Sequence, residues 1–271
     1  MFKINNLTYQ YDKTRKALDN VSMDFNKGTI IGIIGSNGSG KSTLFNNLMG
    51  ILKSTEGEIL YNGEQIKYDK KSLYNLRKEV GIVFQDPEKQ IFYSMVYDDI
   101  AFALRNIGID EKTIKERIHT ALEAVNGLQF IDRPVHNLSF GQKKRVAIAS
   151  VVAMENKLVL LDEPTAGLDP ISTRAIVDII KGLNKRGVKI VISSHDMNLI
   201  YEICDYVYVL NQGVLINEGT REEVFINEEK IDEAGLELPW LVKLHKNMGL
   251  PLFTREEDLY SYWNHREQKT V

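Results

Sequence analysis

Apolar residues crowd into short runs at four places along the chain, 30–34, 81–84, 158–161 and 188–192. Runs this dense suit strands covered on both faces, as in a parallel sheet. Elsewhere the pattern alternates. Phe2, Ile4, Leu7 and Tyr9 recur roughly every second residue, as do Leu18, Val21, Met23 and Phe25. Residues 2–9 and 17–25 therefore read as half-buried strands joined by a polar turn at 12–16. Residues 57–63 read as a further short strand with an Asn-Gly turn signal, which sets a small antiparallel β region beside the first apolar run. Residues 206–210 and 214–216 flank Asn211-Gln-Gly213 and read as a hairpin.

Helical spacing fills the intervals. One helix is expected from 41 to about 52 and another over 171–186. From 86 to about 150 the pattern is helical, with Ile114, Ile118, Leu122 and Val125 at i, i+4, i+8 and i+11 on one apolar stripe. That stripe is ordinary core packing. The block is inserted between two core strands, so it reads as a helical subdomain. After 227 the texture changes to charged helical stretches broken by Leu238-Pro-Trp and Leu250-Pro-Leu-Phe. Trp240, Leu241, Leu244 and Met248 make a short apolar face there, for which a packed tail, a dimer contact and a regulatory element are all open. The expected fold class is α/β, with a domain over 1–227 and a C-terminal extension over 228–271.

The first apolar run breaks at Gly35, and Gly35-x4-Gly40-Lys41-Ser42 is a complete P-loop pattern. Glycines at 35, 38 and 40 let a tight loop turn its backbone N–H groups inward as an anion nest, and a helix starting at Lys41 adds its positive end. The span Gly35, Ser36, Asn37, Gly38, Ser39, Gly40, Lys41, Ser42 and Thr43 is therefore expected to hold a nucleoside triphosphate. Lys41 would reach the β/γ-phosphates and Ser42 would hold Mg²⁺.

The run at 158–161 ends in Asp162 and Glu163. Ligands sit at the carboxyl ends of buried parallel strands, so Asp162 is expected to reach Mg²⁺ and Glu163 to polarise an attacking water. His195 ends the run at 188–192 and its Ser-Ser step, where a γ-phosphate would lie, and it is assigned a mechanistic role. Leu138-Ser-Phe-Gly-Gln142 leads into a helix with Lys143, Lys144 and Arg145 in its first turn. Alone, this segment is either an N-cap with a basic surface or a second anion site at Ser139 and Gly141. Gln85 is a polar amide closing the second apolar run. Tyr11 is open between an adenine-stacking surface and a strand-end core residue.

Composition narrows the setting. The 271 residues carry 43% hydrophobic and 26% charged residues, ordinary for a soluble globular protein. A net charge of −3 supplies no basic field for nucleic acid. Cys204 is the only cysteine, which rules out an internal disulfide and suits a reducing compartment. No run approaches the roughly 18 apolar residues that cross a bilayer, and no signal-peptide core follows Met1, so work at a membrane would require a partner to hold the chain there.

The ordered set of P-loop, Gln85, 138–142, Asp162-Glu163, Gly167-Leu-Asp169 and His195 resembles the ATP-binding cassette ATPases over residues 1 to about 225. That resemblance implies a P-loop NTPase nucleotide-binding domain with a RecA-like parallel core, an antiparallel β subdomain and an inserted helical subdomain over about 86–150. It also implies ATP with Mg²⁺, Tyr11 as the adenine-stacking aromatic, and Gln85 as a sensor of Mg²⁺ (with Ser42 and Asp162) and of the lytic water. Ser139, Phe140, Gly141 and Gln142 match the signature, Asp169 the D-loop and His195 the switch histidine. Phe140 stands where the signature usually has its first glycine. Two such cassettes pair head to tail, the signature of one closing over ATP on the P-loop of the other.

A narrower likeness rests on Val83-Phe-Gln-Asp-Pro-Glu-Lys-Gln-Ile-Phe92, with its second glutamine Gln90, on residues 141–149 and 164–170, and on the tail. These are similar to the A-component of energy-coupling-factor importers, which take up vitamins or cobalt and nickel ions. The likeness implies a second cassette, the same or different, a transmembrane T-component and a substrate-binding S-component as partners, and a place at the cytoplasmic face of the membrane. An ordinary cassette importer or exporter is the alternative. A cassette acting on ribosomes or DNA is disfavoured, since the chain has one copy and only 98 positions, without a heptad run, separate Ser139 from Lys41.

Overall fold

The computed structural model describes residues 1–12 and 15–267. The chain opens with β1 (Phe2–Gln10) and β2 (Lys16–Asp24), antiparallel neighbours with Ile4 opposite Met23 and Leu7 opposite Val21. Part of the expected turn at 12–16, Lys13 and Thr14, lies outside the described residues. Next come β3 (Ile30–Ile34) and α1 (Lys41–Leu48). The helix stops short of 52 because the chain turns at Gly50, φ +62°. β4 (Glu56–Tyr61) and β5 (Glu64–Gln65) form the hairpin that the Asn-Gly signal predicts, with Asn62 and Gly63 at φ +53° and +86°.

α2 (Lys70–Glu79), capped by Asp69, runs straight into β6 (Val80–Val83). Beyond it, residues 84–95 are irregular, although the strand was expected to run to Gln85 and helix to begin at 86. Asp86 caps a single 3₁₀ turn at Pro87–Lys89, and the buried Asp99 carboxylate accepts the N–H groups of Phe92 and Tyr93. Side chains thus satisfy the backbone that a helical ladder would otherwise satisfy. α3 (Val96–Asn106), α4 (Glu111–Ala124) and α5 (Phe140–Ala153) then pack on one another. The stripe Ile114, Ile118, Leu122 and Val125 is fully buried among them.

β7 (Leu158–Asp162), α6 (Pro170–Lys185), β8 (Lys189–Ser194), α7 (Met197–Ile203), β9 (Tyr206–Asn211) and β10 (Val214–Thr220) complete the main sheet. Its order is β10-β9-β3-β8-β7-β6, parallel throughout except for the β10 edge, and the second sheet is antiparallel with order β2-β1-β4-β5. β3 lies between β8 and β9, and its alternation divides the interior. Ile30 and Ile34 enter one apolar core with the helices, while Ile31 and Ile33 enter another beneath the antiparallel sheet.

α8 (Arg221–Ile226) closes the domain, and the extension forms α9 (Glu228–Glu233), α10 (Trp240–Met248) and α11 (Glu256–Glu267); residues 268–271 are outside the described residues. Ile231, Leu238, Leu241 and Val242 are buried in the helical-side core, whereas Met248 of the apolar face is exposed. The Trp240 N–H is accepted by Asn198 Oδ1 at 2.9 Å, and Asn211 donates to the Glu233 carbonyl at 2.9 Å. The extension is thereby fastened to α7 and to the end of β9.

Candidate active site

β3 delivers the chain to Gly35 at the carboxyl edge of the sheet. A Cβ there would come within 2.3 Å of the Leu210 carbonyl and 2.4 Å of Ser39 Oγ, so the loop can close only on glycine. At Gly40, φ +107°, a Cβ would meet the Ala17 carbonyl at 2.6 Å. Gly40 caps α1 without a side chain, leaving the first N–H groups of that helix aimed out of the loop. Lys41 Nζ folds back to donate to the carbonyls of Gly35 (2.7 Å) and Ser36 (3.1 Å). It is buried, and burial pushes its ammonium below the ordinary lysine value against the pull of Glu163 and Asp162.

Above this loop lies a cavity of about 490 Å³ lined by Tyr11, Gly38, Lys41, Ser42, Gln85 and Glu163, among others. Tyr11 is 63% exposed, and its hydroxyl shares a hydrogen bond of 3.1 Å with Thr43 Oγ1. Its ring meets Tyr9 edge-on at 4.9 Å, leaving it a rim residue and not a core tyrosine. Gln85 lies past the end of β6 and not within it, with its side chain exposed at the cavity wall.

β7 and β8 bring the acidic residues to the same edge. Asp162 and Glu163 are buried. Ser193, fully buried on β8, donates its hydroxyl to Asp162 Oδ1 at 2.5 Å and accepts the Glu163 N–H at 3.1 Å. The Ser193 carbonyl accepts that N–H as well, at 3.1 Å. Glu163 stands at φ +47°, an uncommon conformation for a non-glycine residue and one held here from several sides. Its Oε1 is 3.9 Å from Lys41 Nζ, and its Oε2 is 2.8 Å from His195 Nδ1. His195 follows β8 directly, and its side chain is 57% exposed where that of Glu163 is 7%. One carboxylate therefore joins the P-loop lysine to a histidine that faces solvent.

The segment 138–142 is not part of this cavity wall. Ser139 caps α5 by a capping box, its hydroxyl accepting the Gln142 N–H and Gln142 Oε1 accepting the Ser139 N–H at 2.9 Å. Phe140 is 40% exposed, and it lies over Gly167, whose Cβ position would be 3.6 Å from the ring. Gly141 faces Ser172, and Asp169 caps α6 by accepting the Ser172 N–H and hydroxyl. Signature and D-loop positions thus form one exposed face of their own.

Sequence reasoning missed the roles of Ser193 and Lys144, and it marked Gln90 without giving it a contact. Ser193 reads as an ordinary strand serine, and nothing in its neighbours marks the contact with Asp162. Lys144 belongs to an apparently basic surface, yet it is 0% exposed and donates to the Glu163 carbonyl at 3.0 Å. Burial pushes its ammonium down to about 8, against the pull of Asp162, Glu163 and Asp86. Gln90 accepts the Phe84 N–H and donates to the Ala147 carbonyl, each at 3.1 Å, tying the loop of Gln85 to α5. For Lys144 the usable signal is its place in α5, four positions before the buried Ile148.

Comparison with known proteins places the chain in a family. The model of the ABC transporter family matches residues 18–166. The cobalt import ATP-binding protein CbiO of Salmonella typhimurium is 45% identical over 269 residues, covering 99% of this chain and 97% of its own. The energy-coupling factor transporter ATP-binding protein EcfA of Methanosphaera stadtmanae is 43% identical over 248 residues, 92% of this chain and 89% of its own. Among solved structures, CbiO1 of Clostridium perfringens, described as part of the ABC transporter complex CbiONQ, superposes with a TM-score of 0.78 at 41% identity, covering 90% of this chain and 98% of that one. With a P-loop, its buried carboxylates and the signature segment all in place, the chain belongs to the ABC transporter family of ATP-binding proteins.

Proposed function

We propose that this ATPase energises a membrane importer of the energy-coupling-factor type, for a vitamin or for cobalt or nickel ions. The observation that carries the catalytic part is the Glu163 carboxylate held between Lys41 and His195 at the P-loop cavity. Tyr11 would stack on adenine, residues 35–43 would wrap the phosphates, and Lys41 would exchange its loop carbonyls for phosphate oxygens. Glu163 would take the proton of the attacking water, with His195 fixing the carboxylate by its hold on Oε2.

The residues present fit Mg²⁺. Ser42, Gln85 and Asp162 offer oxygen donors, and Asp162 keeps one oxygen free of Ser193. Among the described residues no cluster of three or more His, Cys, Asp or Glu could hold a metal alone, which suits an ion that arrives with nucleotide phosphates and retains its waters. When bound, Mg²⁺ neutralises developing charge on the phosphates.

The separation of the signature face from the cavity supports head-to-tail pairing, in which Ser139, Gly141, Gln142 and Asp169 of one copy complete the site of another, homo- or heterodimeric. ATP would close the pair and hydrolysis reopen it, and that cycle would be transmitted to a transmembrane T-component carrying a separate S-component. Among the described residues no helix is long and apolar enough to cross a membrane, so the chain would sit peripherally at the cytoplasmic face, held by those partners.

Glu163→Gln tests the chemistry. The variant is expected to bind ATP, accumulate as a closed pair and lose nearly all turnover; hydrolysis at the parent rate would refute the assignment of the base. Mild solubilisation with mass spectrometry of what co-purifies tests the assembly. Two small membrane proteins without a soluble binding protein support the energy-coupling-factor reading, a permease with a soluble binding protein moves it to an ordinary importer, and ribosomes or DNA overturn transport.

A further inference from the structure

Lys144 is a charged side chain buried in a helix that begins at the signature, and among the described residues its one hydrogen bond is to the backbone of the residue assigned as base. Burying an ammonium is costly and is offset only by well-placed partners. Those partners converge here. Nζ donates to the Glu163 carbonyl at 3.0 Å and stands 6.0 Å from the centre of the Phe140 ring, while Asp162, Glu163 and Asp86 supply negative charge around it. On the other side of the same residue, the Glu163 N–H is taken by Ser193 Oγ and O, both on β8. Glu163 is thus gripped by the sheet through its N–H and by α5 through its C=O. Because its φ of +47° is strained, its side-chain direction depends on both grips.

We infer that Lys144 is a positioning residue that ties the angle of the signature helix to the aim of the Glu163 carboxylate within the same chain. Phe140, Gly141 and Lys144 lie on the first turns of α5, so a partner nucleotide drawing on the signature face moves the anchor of Glu163 as well. A chain whose signature is engaged thereby sets its own base toward Lys41 and His195. The link runs through a single hydrogen bond and one helical turn. It also explains why Phe140 is accommodated in place of a glycine: its ring caps the lysine it precedes by one turn. This inference rests on the reading of Glu163 as the base.

The test uses the full chain with Lys144→Met, which keeps the unbranched stem and loses the donor, and Lys144→Gln, which keeps a neutral donor. For Lys144→Met we expect kcat for ATP to fall by about 10- to 100-fold, the range that small misplacement of a reacting group produces. KM and ATP-driven pairing, measured in the Glu163→Gln background, should stay near parent values, because Lys144 is not on the cavity wall. Lys144→Gln should recover most of the lost kcat. An unchanged kcat in Lys144→Met overturns the inference. So does a variant that is unfolded, or one in which KM and pairing fail together with kcat, since Lys144 would then be packing alone. Glu163→Gln measured alongside separates the two readings: if it hydrolyses ATP normally the base assignment fails, and if it is inactive while Lys144→Met is normal only the present inference fails.

Discussion

Replacing Ser193 by alanine isolates the hold on Asp162. The hydroxyl is fully buried and supplies the single hydrogen bond that the Asp162 carboxylate receives among the described residues, at 2.5 Å. Alanine removes that donor and leaves a buried charged acceptor unpaired, which costs about 1.5–3 kcal/mol. The Glu163 N–H loses little, since the Ser193 carbonyl still accepts it. Taking about 2 kcal/mol, and an unfolding entropy of roughly 2.1 cal/mol/K per residue over the 271 residues, the melting temperature should drop by about 3–4 °C. Scanning calorimetry at neutral pH measures this directly. The carboxylate should be the source of the loss, so in an Asp162→Asn background Ser193→Ala should cost at least about 1 kcal/mol less. Equal losses in both backgrounds, or a single variant within about 0.5 kcal/mol of the parent, would refute the reasoning.

Further outcomes are open to measurement. Lys41→Ala should weaken ATP binding by about 100-fold or more, the scale of a lost set of charged hydrogen bonds, and an unaltered titration with a fluorescent nucleotide would remove the P-loop argument. Asp99 is held above the ordinary carboxylate range by burial, partly offset by the N–H groups of Phe92 and Tyr93. The folded chain therefore keeps that proton longer than the unfolded one, and stability should fall as pH rises from the ordinary Asp value of about 3.9 through the raised one. Asp99→Asn should flatten that slope in urea titrations across mildly acidic pH; an unchanged slope would count against it. Deleting 228–271 strips Ile231, Leu238, Leu241 and Val242 from the core, each worth about 1.5–3 kcal/mol, so the shortened chain should melt far lower or fail to stay soluble. A parent-like melt would mean that the extension is energetically idle.

Local chemistry was well recorded in the sequence. The P-loop, the carboxylates at the end of β7 and His195 after β8 could be placed because a dense apolar run fixes a buried strand, and such strands end at one edge of the sheet. The Asn62-Gly63 hairpin was equally legible. Residues 84–95 were not. Their backbone is satisfied by nearby side chains, Asp86, Gln90 and Asp99, and not by a helical or strand ladder, which leaves no regular period to read. Lys144 and Ser193 were hidden for a related reason. A lysine among basic neighbours reads as solvated surface, and only the approach of β7 to α5 turns it inward. The fate of the 240–248 apolar face likewise depended on what α7 presents to it, and the sequence could not supply that.

The signature face and the Glu163 cavity lie apart on one chain, and that has a kinetic consequence. If turnover needs both, no single copy is a complete catalyst, and the specific rate becomes a function of dilution. Below the dissociation constant of the pair, the rate should rise with the square of protein concentration and turn linear above it. Mixing inactive Lys41→Ala and Ser139→Ala chains would restore a fraction of full rate, because one of the two sites in each mixed pair inherits both intact halves. A membrane complex that holds two copies side by side would abolish this dependence and keep ATP from being spent by copies adrift in bulk solution.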